Sequence, residues 1–570
     1  MKGYEKESFL APLFKMLEAT FELIVPLVVA NIMDIGIKNQ DNAYIWHQCV
    51  IMVLLGVIGL VCALTAQYFS AKAAMGFSTA LRKEMFAHIS KLSYRELDQL
   101  GTPTLVTRIT NDVNQAQTGV NMVLRLFLRS PFIVVGAVIM SFTIDWKIGL
   151  IFLIAVPLIS VVIYAIMRTT VPIYKKAQSS LDRISLITRE NHVGARVVRA
   201  FGRQQEEYKE FSQVNDDYTK VQVTAGKISA LLNPATTVIM NFAIIGILWY
   251  GSKEVSIGTL TQGEVVALVN YMNQILIALI ALANLIVAVT KAMASGVRLN
   301  EVLDTQPSLT DEGSSTQQEK AKADRVAFED VSFTYAGSKE PALSHISFTA
   351  KPGETIGIIG GTGCGKSTLV NLIPRFYDAS EGSVVIDGNN AKEYPFSQLR
   401  KKVGMVPQQA VLFKGTIRDN MKWGKEDATE EEIQRALSIA QASDFVNSKP
   451  EGLNTMVSQG GANLSGGQRQ RLTIARALVG DPEILIMDDS ASALDFATDA
   501  ALRHAIHQQT RGMTVFIVSQ RATSIKQADK ILVLDDGELV GVGTHKELLE
   551  SCEAYREICL SQLSEQEVNR

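Results

Sequence analysis

Hydrophobic and polar positions follow two different patterns along the chain. Six long, mostly apolar stretches lie within the first 290 residues, at 10–36, 47–76, 131–144, 147–170, 233–251 and 263–290. A helix needs about 20 such residues to cross the hydrocarbon layer, so the pattern predicts six spans, the third extended back through 123–128. Beyond position 325, short apolar strands alternate with polar helices, as in soluble α/β domains.

The composition changes again between these two parts. Residues 304–324 are rich in Gln, Ser, Glu, Asp, Lys and Gly and show no periodicity, which is typical of a solvated linker. We therefore predict a multidomain chain with an all-α polytopic membrane domain of six helices at 1–303. The linker occupies 304–324, and an α/β domain occupies 325–570.

Charges in the connections set the predicted orientation. Lysines and arginines are concentrated in the two long connections, between spans two and three and between spans four and five. Such connections are cytoplasmic by the positive-inside rule, so the turns near Gln40, Asp145 and Ser256 face outward and the α/β domain is cytoplasmic. The chain is thus predicted to be a multi-pass protein of the cell membrane. Both long connections have helical patterns, with corners at Gly194–Phe201 and Gly101–Asp112.

Charge and cysteine usage exclude several classes of partner. The net charge is −3 and no basic cluster is visible, so no nucleic-acid surface is predicted. The five cysteines form no CxxC pair, which argues against a zinc site or a disulfide framework. Charges at membrane depth are costly and often functional, and Glu18, Glu22 and Asp34 fall in the first span. The amides of the sixth span are expected to pack between helices, with the lining of a path for polar or amphipathic cargo as the alternative; they are Asn270, Asn273, Gln274 and Asn284.

A glycine-rich loop follows the apolar strand Thr355–Ile359 and opens a helix. Its sequence, GGTGCGKS, has the GxxxxGK[ST] spacing in which backbone N–H groups surround phosphate oxygens. In this motif Lys366 reaches the terminal phosphates and Ser367 binds magnesium. The predicted phosphate-binding residues are Gly360, Gly361, Thr362, Gly363, Cys364, Gly365, Lys366, Ser367 and Thr368.

A second phosphate-binding surface is predicted at the start of another helix. The segment LSGGQ places Ser465, Gly466, Gly467 and Gln468 there, where exposed N–H groups attract anions. One domain needs only one phosphate cradle, so this surface is expected to close on nucleotide held by another copy of the domain. The apolar strand Ile484–Asp488 is followed directly by Asp489, so two adjacent acids stand at its end. This pattern predicts a strand that delivers carboxylates to a magnesium-nucleotide site.

These motifs, in this order, make the chain resemble half-transporters of the ABC exporter family over nearly all its length. The resemblance implies ATP and Mg²⁺ as cofactors, a second half-transporter as partner, and alternating-access export. It also implies that Tyr335 stacks on adenine, that Gln408 contacts the metal and the attacking water, and that Asp488 holds magnesium with Ser367. The resemblance further makes Ser492–Asp495 the dimer-facing loop, and Gly194–Phe201 and the segment near Gly101 coupling helices.

Two positions depart from the family pattern. Asp489 stands where the family places a glutamate that orients water, and its carboxylate is about 1 Å shorter in reach, which can cost about 100-fold in rate. Gln520 stands where the family places a histidine near the γ-phosphate, and an amide cannot carry positive charge. We therefore expect a site that holds ATP and hydrolyses it slowly.

We call the glycine-rich loop GGTGCGKS the P-loop and the segment LSGGQ the signature. The expected assembly is a heterodimer in which the second site, formed by the partner's P-loop and this chain's signature, is competent. Two alternatives stay open: a slow homodimeric exporter, and an ATP-binding regulatory or gating subunit of a membrane complex. The expected cargo is small and amphipathic, and drug-, lipid- and peptide-like compounds all fit.

Overall fold

The computed structural model describes residues 3–311, 313, 324–490, 493–510 and 512–563. They form two units by their internal contacts. The first contains Met1–Ser90 and Pro103–Asp304, and the second contains Lys91–Thr102 and Thr305–Arg570. The sequence pattern did not separate Lys91–Thr102 from the membrane domain. Residues 312 and 314–323 of the predicted linker lie outside the described residues, as does Ser492.

Helices make up the described part of the chain as far as Asp304. In chain order they are α1 Glu5–Asn31, α2 Asn42–Ile89, α3 Tyr94–Leu100, α4 Thr102–Thr107, α5 Val113–Leu126, α6 Arg129–Ile144, α7 Trp146–Val193, α8 Ala195–Ala200, α9 Gln204–Ala230, α10 Leu232–Ile257 and α11 Gln262–Asp304. Short π-helical segments at Ile32–Ile37 and Arg108–Asp112 extend α1 and join α4 to α5.

Six helical runs are long and apolar enough to cross a membrane, within the residues that the structure describes. They are Glu5–Ile37, Asn42–Ile89, Thr102–Ile144, Trp146–Val193, Gln204–Ile257 and Gln262–Asp304, which confirms the six predicted spans. Helix α2 has 48 residues, or about 72 Å at 1.5 Å per residue, more than twice the hydrocarbon thickness. The helices therefore continue well beyond the membrane, as the patterns of the long connections predicted.

Polar groups of the first unit join its helices to one another. Arg129 at the start of α6 donates to Glu22 of α1 at 2.7 Å, and its Nε lies 3.8 Å from Glu18. Gln274 of α11 donates to the Glu22 carbonyl at 3.1 Å. Asp34 accepts from the Gly263 N–H at 2.8 Å and so caps the N-terminal end of α11. For these residues the structure favours interhelical packing over the lining of a cargo path.

The approach of α1 to the start of α11 depends on Gly263. A Cβ atom there would lie 2.4 Å from the Ala30 carbonyl oxygen and 2.5 Å from Asp34 Oδ2. We expect Gly263→Ala to lower the stability of the membrane unit by about 1–3 kcal/mol, because the helices must separate. Thermal unfolding of the detergent-purified protein measures this effect. The control is Gly59→Ala in α2, where a Cβ meets nothing within 4 Å; equal midpoints for both variants would contradict the prediction.

The second unit is an α/β domain with two main sheets. Its strands are β1 Val326–Phe333, β2 Leu343–Ala350, β3 Thr355–Gly360, β4 Glu381–Ile386, β5 Asn389–Asn390, β6 Val403–Val406, β7 Gly415–Thr416, β8 Met456–Val457, β9 Ile484–Asp488, β10 Thr514–Val518, β11 Lys530–Asp535 and β12 Glu538–Gly543. The antiparallel sheet has the order β2-β1-β4-β5, and the larger sheet has the order β12-β11-β3-β10-β9-β6.

Helices cover the larger sheet, and four of them lie between β6 and β9 together with the short strands β7 and β8. In chain order they are α12 Lys366–Leu372, α13 Phe396–Lys402, α14 Ile417–Lys422, α15 Glu430–Ile439, α16 Ser443–Asn447, α17 Gly466–Leu478, α18 Phe496–Gln509, α19 Ala522–Ile525, α20 His545–Ser551 and α21 Glu553–Gln562. Helices α14 to α17 supply the helical subdomain that the predicted fold class includes, and they share one buried core with the sheet.

The register of three parallel strands positions the site. Val518 of β10 lies opposite Ile358 of β3 on one side and opposite Asp488 of β9 on the other. Parallel strands in this register end at the same edge of the sheet, where ligands of open α/β sheets bind. The P-loop, the two acids and the segment that contains Gln520 therefore all begin at one edge.

Candidate nucleotide site

The P-loop joins β3 to α12 and requires glycine at the turn into the helix. Gly365 has a φ of +94°, and a Cβ there would lie 2.6 Å from the Ala342 carbonyl oxygen. A side chain is therefore excluded both by the backbone conformation and by space. Gly361, Thr362 and Gly363 form the exposed crest of the loop. The N–H groups of this crest belong to the predicted phosphate cradle.

The lysine of the loop is held beneath it. Lys366 is buried, and its ammonium group donates to the carbonyl oxygens of Gly360 at 2.9 Å and Gly361 at 2.5 Å. Cys364 is also buried, with its sulfur 3.5 Å from the same nitrogen. The cysteine therefore packs under the loop and is not on the exposed crest. Helix α12 begins at Lys366, so its positive end faces the loop.

Ser367 and Asp488 meet across the sheet edge. The Ser367 hydroxyl donates to Asp488 Oδ1 at 3.0 Å. Burial raises the pKa of the Asp488 carboxyl above its usual value, the Ser367 hydrogen bond lowers it, and the neighbouring Asp489 charge raises it further. A hydroxyl and a carboxylate in contact are hard oxygen donors of the type that magnesium prefers. This pair fits the predicted metal role.

Asp489 has different neighbours from Asp488. Its N–H donates to the Val518 carbonyl at 3.0 Å, and its φ is +43°, in the left-handed region. Burial raises the pKa of its carboxyl, while the charges of Lys366 and Arg521 and a hydrogen bond with the Gln408 side chain lower it. Gln408 and Asp489, both predicted catalytic residues, are therefore brought together. Arg521 was not among the predicted site residues.

Gln520 begins the loop that follows β10. Its carbonyl accepts a hydrogen bond from Gln562 Nε2 at 2.7 Å, so the last turn of α21 contacts this loop. The guanidinium of the next residue, Arg521, lies 5.1 Å from the centre of the Phe496 ring at the start of α18. No sequence motif marks Gln562 or Phe496, and both were missed.

Tyr335 lies beside the P-loop helix in an aromatic cluster. Its hydroxyl is 3.0 Å from Thr368 Oγ1. The Tyr335 ring meets Phe333 and Tyr377 edge to face, with centroids 4.8 and 5.5 Å apart. Tyr335, the predicted adenine-stacking residue, is thus in contact with Thr368, a predicted phosphate-binding residue. A cavity of about 470 Å³ lies next to this cluster.

The same cluster receives α3, the helix from the connection between spans two and three. Tyr377 donates its hydroxyl to Asp98 at 2.6 Å, and the Tyr94 ring lies 4.6 Å from the Phe376 ring. Burial and the bond to Asp98 raise the pKa of Tyr377. Helix α3 ends directly before Gly101, so this contact involves the segment near Gly101 for which the family resemblance implies a coupling helix.

The signature segment is built as a helix cap. Ser465 precedes α17, its hydroxyl accepts from the Gln468 N–H at 3.3 Å, and Gln468 Oε1 accepts from the Ser465 N–H at 3.0 Å. This capping box leaves Gly466 exposed and Gly467 half-buried at the first turn. Asp495 caps α18 through its carboxylate alone, which accepts from the Thr498 N–H at 2.9 Å. The signature and the P-loop thus lie at the starts of different helices.

The docking of α3 gives a testable prediction. Tyr377→Phe removes the hydrogen bond to Asp98 and keeps the ring contacts, so we expect a loss of about 0.5–1.5 kcal/mol, confined to α3. Hydrogen exchange of the amides of 94–100 is expected to accelerate accordingly.

The control for this prediction is Tyr394→Phe. That hydroxyl donates to the Ile386 carbonyl at 3.0 Å elsewhere in the same domain. It is expected to leave the exchange of 94–100 unchanged. Equal acceleration by the two variants would show that α3 is not held by Tyr377.

The fold and the site define a membrane protein with a nucleotide-binding domain of the P-loop type. Comparison of the chain with models of known protein families identifies its family. Residues 8–279 match the family model of the ABC transporter transmembrane region, and residues 343–492 match the model described as ABC transporter. The chain therefore belongs to the ABC transporter family. It is a half-transporter, with one transmembrane region and one cytoplasmic nucleotide domain in a multi-pass membrane protein. The predicted fold class, family and location are confirmed.

Similar proteins cover nearly the whole chain. The "Uncharacterized ABC transporter ATP-binding protein YfiB" of Bacillus subtilis (strain 168) is 37% identical over 562 residues, 99% of this chain and 97% of that protein. An "ATP-dependent lipid A-core flippase" of Desulfotalea psychrophila is 35% identical over 468 residues, 82% of this chain and 81% of the flippase. A bacterial Atm1-family ABC exporter solved with ATP bound shares the fold, with a TM-score of 0.80, 24% identity and 99% coverage of both chains.

Proposed function

We propose that this chain is one subunit of an ATP-driven exporter, that its own site binds ATP and hydrolyses it slowly, and that its signature completes a partner's site. One observation carries the proposal. The parts that hold nucleotide are assembled around Lys366, Ser367 and Asp488, while the two positions nearest the reacting phosphate in the family carry Asp489 and Gln520.

The binding half of the proposal rests on side chains already in contact. Ser367, Asp488 and the Gln408 amide would hold Mg²⁺, which supplies charge neutralisation between the phosphates. The loop N–H groups and Lys366 bind the phosphate oxygens, and Tyr335 supports the base. The cofactors are thus ATP and magnesium, as the family membership also supports.

The slow hydrolysis that we propose follows from the length of the Asp489 side chain and from the missing charge at Gln520. A general base must lie within hydrogen-bond reach of the water from which it takes a proton. Asp489 is one methylene shorter than glutamate and already bonds with Gln408. Gln520 can donate a hydrogen bond, but it cannot neutralise the charge that develops on the phosphoryl group. Both changes lower the rate and leave the phosphate cradle unchanged.

The proposed partner is a second, different half-transporter. The capping box at Ser465 presents the start of α17 to a nucleotide held elsewhere, because this chain's own nucleotide is held at α12. An intact signature beside altered hydrolytic residues is what a heterodimer with one competent site requires. The exposed residues Val197 and Phe201, on and next to α8, form a second coupling surface for the assembly.

The proposed cargo is amphipathic and lipid- or drug-like, and peptides also fit. Related chains are named as lipid A-core flippases, and such a molecule combines a polar head with apolar tails. ATP at both sites closes the nucleotide domains, α3 and α8 pass this motion to the spans, and hydrolysis at the partner's site resets the transporter.

Restoring the family residues tests the proposal. We expect the purified chain alone to hydrolyse ATP slowly, and Asp489→Glu combined with Gln520→His to raise its turnover by about 10- to 100-fold, since the base and the charge return. Phosphate release from the reconstituted protein measures the rate.

The matched control for this test is Asp536→Glu. Asp536 also has a φ of +43° and lies in an exposed turn. The Asp536→Glu variant measures how much stability a glutamate costs in that backbone conformation, and it leaves the nucleotide site unchanged. Fast turnover by the unmodified chain, or no gain in the restored variant while the control folds normally, would refute the proposal.

A further inference from the structure

The last described helix, α21, is anchored in the core of the nucleotide domain. Tyr555 and Cys559 on this helix are fully buried, and they belong to the same core cluster as β9 and β10. One helical turn beyond Cys559 stands Gln562, an exposed residue at the end of the helix. The helix therefore carries Gln562 on a rigid support.

Gln562 uses both halves of its amide on one loop. Its Oε1 accepts from the Ala522 N–H at 2.9 Å, and its Nε2 donates to the Gln520 carbonyl at 2.7 Å. These two backbone groups lie on either side of Arg521. We call Ser519–Ala522 the switch segment. An amide that is satisfied in both directions fixes its own orientation and the spacing of the groups it joins.

The switch segment has two further attachments. The Arg521 N–H donates to Ser519 Oγ at 3.0 Å, and the Arg521 guanidinium lies over the Phe496 ring. Phe496 directly follows Asp495 at the start of α18. The backbone of the segment is thus bonded to the C-terminal helix, and the Arg521 side chain contacts the first residue of α18, directly after the predicted dimer-facing loop.

We propose that Gln562 is a positioning residue, which holds the switch segment so that the Gln520 side chain meets the terminal phosphate of ATP bound at this chain's P-loop. The inference rests on the proposed placement of Gln520 at that phosphate. It assigns to the C-terminal helix a role in nucleotide selectivity. Packing alone does not require Gln562, because an exposed amide leaves no cavity when it is removed and surface changes of this kind cost little stability.

Nucleotide selectivity distinguishes positioning from a structural role. ADP has no γ-phosphate, so an effect transmitted through Gln520 lowers the affinity for ATP and leaves the affinity for ADP unchanged. A damaged domain would bind both nucleotides more weakly. Affinities are measured on the full-length protein in EDTA, which suppresses hydrolysis, by displacement of a fluorescent ATP analogue. The variants are Gln562→Ala, Gln520→Ala, both together, and Gln562→Glu. Ser561→Ala is the control, because that hydroxyl bonds within α21.

We expect Gln562→Ala to lower the affinity for ATP about three- to tenfold, which is the range of one or two lost hydrogen bonds, and to change the affinity for ADP less than about twofold. In the Gln520→Ala background it should have no further effect. Gln562→Glu keeps the acceptor and loses the donor, so its affinity for ATP should lie between those of the unmodified protein and Gln562→Ala. The Ser561→Ala control should bind both nucleotides normally.

Three results would overturn the inference: unchanged ATP affinity in Gln562→Ala, equal weakening of ATP and ADP, or an undiminished effect in the Gln520→Ala background. If Gln520→Ala itself does not favour ADP over ATP, the proposed placement of Gln520 fails together with the inference. The proposed slow hydrolysis is tested separately by turnover and does not depend on this result.

Discussion

The alignment of β3, β9 and β10 is the constraint on which the site depends. Because Val518 pairs with both Ile358 and Asp488, the three strands end at the same edge of the sheet, with β3 two residues longer. The P-loop, the paired acids and the switch segment then start within reach of one another, and the Ser367–Asp488 hydrogen bond joins the first two across the edge. A shift of one residue in β9 would turn Asp488 to the opposite face of the sheet and separate it from Ser367.

Within this frame, the two adjacent acids are held by different means. Asp488 belongs to β9, is buried, and contacts the P-loop helix through Ser367. Asp489 lies beyond the strand with a left-handed backbone, a conformation that aspartate enters more readily than most residues because its short side chain can bond locally. The conformation at Asp489 therefore suits the residue present.

The features that could be predicted from the sequence are those that depend on residues close together in the chain. Apolar length gave the six spans, and the spacing of Gly365, Lys366 and Ser367 between a strand and a helix gave the phosphate cradle. The contacts of Asp98 and Gln562 could not be predicted in this way. Each is a single polar residue on a short helix, and its partner is set by tertiary packing. Asp34 was noticed as a charge in a span, yet its use as a cap for α11 depends on the approach of another helix at Gly263.

The proposed heterodimer requires that this chain keeps its ATP intact while the partner's site hydrolyses ATP. The most direct measurement is to let the purified two-subunit complex turn over radiolabelled azido-ATP, crosslink it by light, separate the subunits, and identify the nucleotide attached to each. We expect triphosphate on this chain and diphosphate on its partner. Diphosphate on this chain in proportion to turnover would show that its own site also hydrolyses ATP.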